Sequence, residues 1–116
     1  MTELAQKPFF FINFLTGIIF IVAALVQMKF PPRKINSLYG YRTKNSMKSQ
    51  ESWDFAQSYS SKLMLIFGVG LCSIAIISNM MFPLKTEYQI VLSILIINVI
   101  VVVMIVIVEK ELKKRF

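Results

Sequence analysis

The chain has 116 residues, 56% of them hydrophobic, and thirteen basic against six acidic side chains give it a formal net charge of +7. So much apolar surface is more than one small soluble core can bury. With no histidine and a single cysteine, the sequence excludes a thiolate–imidazole metal cluster and any Ser-His-Asp or Cys-His catalytic site, so no metal and no cofactor are expected.

The first element is an apolar run from Phe9 to Met28, long enough to cross a bilayer as a helix, which takes about 20 residues. A cleaved signal peptide is the competing reading, favoured by Ala23 and Ala24. It is disfavoured by the length of the run and by the charge-balanced leader MTELAQK. Phe30, Pro31 and Pro32 end this helix, because proline lacks the amide donor and restricts the residue before it.

The loop at 29–62 follows. From Arg33 to Lys48 it lacks helical periodicity and carries Asn36, Ser37, Gly40, Asn45 and Ser46, all turn formers. Ser49 is placed to cap a short interfacial helix, with Glu51 complementing the dipole in its first turn and Trp53 at headgroup depth. Within the loop, Gly40 permits positive φ, and Arg42 offers a planar fork of donors to a carboxylate or phosphate. Glu51 and Asp54 are its candidate counter-charges. Membrane anchoring by the tyrosines and arginines is the plainer reading of the same residues.

Leu63 to Phe82 and Ile90 to Val108 are two further runs free of charge, and none of the three shows the alternation of a barrel strand. Their polar residues are Asn13, Thr16, Gln27, Cys72, Ser73, Ser78, Asn79, Ser93 and Asn98. Such groups more often join packed helices than line a pathway. Gly68, Cys72 and Ala75 form a small-residue stripe on which another helix can approach closely. The spans lack the carboxylates of a proton-coupled carrier. Composition alone leaves a Ser-Lys dyad open, but no Lys falls within a span and nothing in the spacing nominates one.

Eleven of the thirteen basic residues lie in the first connection and the C-terminal tail. Cations beside membrane spans stay on the cytoplasmic side, so the N-terminus is expected outside and the loop and C-terminus inside. Anionic headgroups account for the positive charge, and no nucleic-acid partner is expected.

The pattern N-x-x-x-G-Y-R-T, then Ser, then E-x-W-x-x-A, resembles the signature of the SdpI-type immunity proteins, named for protection against a secreted sporulation-delay toxin. Asn36, Gly40, Arg42, Thr43, Ser46, Ser49, Glu51, Trp53 and Ala56 carry it, with Lys44 where members often have proline. The resemblance corresponds to the C-terminal membrane module of longer members and makes 1–116 a single membrane domain. It implies an all-α integral protein of the bacterial cell membrane that protects its producer against a membrane-active peptide, without enzymatic chemistry. A signalling role is a second implication. The expected partners are membrane lipids and either a peptide toxin or another membrane protein. The alternative function is an accessory or regulatory subunit of a larger membrane complex, and a third class is a membrane enzyme acting on lipid or peptide.

Overall fold

A computed structural model describes residues 7–81 and 85–116. Phe82, the last residue of the expected second span, and residues 1–6 lie outside this range. Three helices make up the structure: α1, Pro8–Lys29; α2, Gln50–Met81; and α3, Thr86–Arg115. All three are long and apolar enough to cross a membrane, and no strand occurs among the described residues.

Local sequence explains the ends. Pro8 occupies the first turn of α1, where its missing amide costs nothing. Lys29 sits in the last turn beside unpaired carbonyls. Ser49 and Ser52 cap α2 reciprocally: the Ser52 amide donates to Ser49 Oγ at 3.1 Å, and the Ser49 amide donates to Ser52 Oγ at 3.0 Å. α3 ends in Lys113, Lys114 and Arg115, cations that complement the carbonyl end of the helix dipole.

The helices run up, down, up. At one end the Phe9 amide of α1 donates to Gln89 Oε1 of α3 at 3.3 Å, and Asn13 Nδ2 donates to Ser93 Oγ at 3.0 Å. At the other end Gln27 of α1 meets Gln57 of α2. Midway, α1 and α2 cross with almost no side chain between them: a Cβ on Gly17 would lie 2.7 Å from the Gly68 carbonyl oxygen and 2.6 Å from Cys72 Sγ. Cys72 Sγ in turn lies 3.7 Å from the Phe14 carbonyl oxygen. Most large apolar side chains of the three helices face outward, among them Leu15, Ile66, Val102 and Val106, as a hydrocarbon solvent permits.

The span polar residues divide into two groups. Asn13, Gln27, Ser93 and Cys72 bond between helices, whereas Ser73, Ser78 and Asn98 bond to carbonyls of their own helices. Thr16 is half-buried and Asn79 is exposed.

Two sequence expectations change. There is no separate interfacial helix, because the segment after Ser49 continues unbroken into the second span and α2 is a single 32-residue rod. Nothing between Gln50 and Lys62 is proline or glycine, so no residue there interrupts the hydrogen-bond ladder. Trp53 also does not project to a surface. It is fully buried, and its indole N–H donates to the Pro32 carbonyl at 2.6 Å, so it anchors the loop to α2.

Candidate functional site: a loop latched to the end of α3

Residues 30–49 form a series of turns held at named points. Asn36 Oδ1 accepts the amides of Leu38 and Tyr39 at 2.8 and 2.7 Å, an Asx turn that reverses the chain. The Tyr39 hydroxyl donates back to the Phe30 carbonyl at 2.8 Å. Gly40 then takes φ +102°, a region open to glycine and rarely to other residues.

That backbone turn presents Tyr41 to α2. The carboxamide of Gln57 pairs with the Tyr41 peptide group on both sides, accepting its amide at 2.7 Å and donating to its carbonyl at 2.8 Å. Gln57 is buried, and its own carbonyl accepts from Gln27 Nε2 at 3.0 Å. A side chain thus stands in for a neighbouring strand and links α1, the loop and α2.

The next residues converge on Glu109 of α3. The Tyr41 hydroxyl and the Thr43 hydroxyl donate to Oε2 at 2.7 and 2.8 Å, and Asn45 Nδ2 donates to Oε1 at 2.7 Å. Three donors on two oxygens is an arrangement that an ionised carboxylate satisfies, and each charge-assisted bond is stronger than a neutral one. Burial first, and then the Glu109 carboxylate, push the Tyr41 phenol above its ordinary value, so it stays a donor. Ser46 supports this turn: its Oγ accepts the Thr43 amide at 2.8 Å, and its amide donates to Thr43 Oγ1 at 3.2 Å. Beneath the carboxylate, Ala56 of α2 packs on Val108 and Leu112 of α3, with Tyr41, Phe55, Tyr59 and Leu63 around them. The Arg115 guanidinium lies 4.6 Å from the Phe55 ring centroid and closes that side.

The sequence-derived residues therefore separate. Asn36, Gly40, Thr43, Ser46, Ser49, Trp53 and Ala56 build or support the latch. Arg42 does not point at an acid: it is exposed, its Nη1 donates to the Ser37 carbonyl, and it forms no ion pair among the described residues. The Asx turn at Asn36 brings that carbonyl within reach, while Asp54 instead accepts from Gln50 Nε2 at 2.8 Å. Glu51 is exposed and makes no bond to the loop. Gly68 and Cys72 lie where α1 crosses α2, and Ala75 is buried two turns beyond Gly68. No group of three or more candidate ligands for a metal occurs among the described residues.

Three side chains of the latch escape the sequence pattern: Gln57, Tyr41 as a donor, and Glu109. Glu109 directly follows the uncharged run, where the first of two acids in a basic tail reads as a boundary charge. The available signal was its position and sign, since it is an acid and the first charge after Val108, at the head of a tail with four cations and Glu111.

Three apolar helices and a polar latch at one end define a small multi-pass helical membrane protein. The model of the SdpI/YfhL protein family matches residues 33–109, and the chain belongs to that family. It is also 39% identical over 61 residues to Uncharacterized protein YfhL of Bacillus subtilis (strain 168), an alignment covering 53% of this chain and 56% of the relative. The chain thus matches little more than half the length of that curated relative. No solved structure matches it. The matched segment contains both halves of the latch, from the turn-rich loop to Glu109.

Proposed function

We propose that this chain is a membrane immunity protein that protects the cell producing it against a membrane-active antimicrobial peptide, through binding and without catalysis. Its N-terminus lies outside, and its loop and C-terminus are cytoplasmic. One observation carries the reading. The part of the chain that belongs to the family is also the part in which three loop donors are fixed on one carboxylate. A plain connector between two spans needs no such construction. The resemblance supplies the peptide toxin as the adversary, and a signalling partner would meet the same basic face.

The test is expression in a sensitive bacterium challenged with a panel of membrane-active peptides, reading growth and membrane potential. The wild-type chain should preserve both against at least one peptide. Glu109→Gln should abolish protection, because an amide brings a donor to a site already filled with donors, at a cost of about 2 kcal/mol. Arg42→Ala should also lose it, since the exposed guanidinium is the group the latched loop presents, whereas Lys44→Ala should be silent. At matched protein levels, protection that survives Glu109→Gln would remove the latch from the mechanism. No protection against any peptide would overturn the immunity reading.

A further inference from the structure

A second polar site borders the latch and shares Gln27 and Gln57 with it. Between the end of α1, the Pro31–Arg33 segment and the first turns of α2 is a cavity of about 560 Å³. Arg33, Lys62, Asp54, Ser58, Ser61 and Met28 are the lining residues that set its chemistry. The Arg33 guanidinium and the Lys62 ammonium have no hydrogen-bond or ion-pair partner among the described residues. Neither does the Ser58 hydroxyl, while Ser61 is buried and donates to the Ser58 carbonyl at 2.9 Å. The only carboxylate in the lining, Asp54, is already bonded to Gln50. Two cations and a hydroxyl that line one cavity without partners among the described residues have the chemistry to hold a singly charged phosphodiester.

Depth bears on which phosphodiester would fit. Lys62 is the last charge before the second apolar run, and Met28 closes the first, so the cavity sits where hydrocarbon gives way to headgroups. One turn deeper on the same faces, Leu25 and Ile66 are exposed apolar side chains, a track for acyl chains leading away from the cations. We propose that this cavity, lined by Arg33, Lys62 and Ser58, is a specific binding site for a phospholipid headgroup. The lipid phosphate rests between the two cations, and Asp54 accepts from a hydroxyl or ammonium on the headgroup. The site is independent of the immunity reading.

The test uses the full chain in detergent, with lipid retention read by native mass spectrometry. The wild-type chain should retain phosphatidylglycerol and not diacylglycerol, which lacks the phosphate. Arg33→Gln with Lys62→Gln should weaken retention about tenfold or more, since each interfacial cation contributes about 1 kcal/mol. Lys110→Gln with Lys114→Gln removes the same charge elsewhere and should leave retention unchanged. Ser58→Phe fills the cavity without altering charge and should also lose the lipid, which decides the matter if the double variant does not fold. Equal loss in both double variants would reduce the effect to diffuse attraction and overturn the site. Undiminished retention in Ser58→Phe would overturn it as well. Displacement of the lipid by inorganic phosphate at comparable concentration would assign the cavity to a soluble anion and overturn the headgroup assignment.

Discussion

Gly40 is constrained twice, by its φ of +102° and by its neighbours. A Cβ there would press on the Gln57 carboxamide and lie 2.7 Å from Pro32 Cγ, so alanine would strain the backbone and disturb the amide pair that holds Tyr41. Gly40→Ala should cost about 1–3 kcal/mol and lower the thermal midpoint in detergent. Gly70→Ala is the control: nothing lies within 4 Å of its added methyl, so it should be neutral or raise stability by up to about 1 kcal/mol. Equal midpoints for the two variants would show that Gly40 bears no strain. The turn at Gly40 was legible in sequence, because a glycine between two tyrosines in a polar segment has few other uses. Gln57 was not, because a glutamine beside serines on an amphipathic helix reads as solvated, and only the fold brings Tyr41 and Gln27 to it.

Among the helices, the crossing of α1 and α2 depends on the absence of side chains at Gly17 and Gly68. A Cβ on Gly68 would lie 2.9 Å from the Gly17 carbonyl oxygen, so backbone rather than a flexible side chain is in the way. Gly17→Leu or Gly68→Leu should force the helices apart and cost about 1–3 kcal/mol by overpacking, read as a lower thermal midpoint than Gly70→Leu gives. Indistinguishable midpoints would mean that the crossing slides to accommodate the side chain. The stripe at Gly68, Cys72 and Ala75 was visible from its spacing, but its partner Gly17 was not, since one glycine in an apolar run says nothing about pairing. The length of α2 was hidden for a related reason. Apolarity begins at Leu63, yet helicity begins at Gln50, and hydropathy marks the membrane rather than the ladder. At about 1.5 Å per residue, the twelve residues before Lys62 make roughly 18 Å of the same rod, a rigid mount for the loop.

For the molecule as a whole, charge and connectivity predict which end faces the cytoplasm. In a Cys72→Ser background, Glu87→Cys should react with a membrane-impermeant thiol reagent in intact cells, and Lys48→Cys should not. The reverse pattern would put the latch on the outer face, where a secreted peptide meets it directly. Three spans were readable because each is an uncharged run of sufficient length. That the first connection grips the last helix was not readable, because a hydrogen bond such as that from Tyr41 to Glu109, 68 positions apart, leaves no periodicity in sequence.

That grip bears on any encounter the loop makes. A free connection of this length would sample many conformations, and fixing each residue costs about 1–2 kcal/mol of backbone entropy. Here Trp53 ties Pro32, Gln50 ties Arg33, Gln57 ties Tyr41, Glu109 ties Thr43 and Asn45, and Ser52 ties Ser46. The ordering entropy is therefore met during folding, and a molecule arriving at this face finds a preorganised surface. Its binding free energy is not diverted into arranging the loop, and collision rather than rearrangement sets the pace of association.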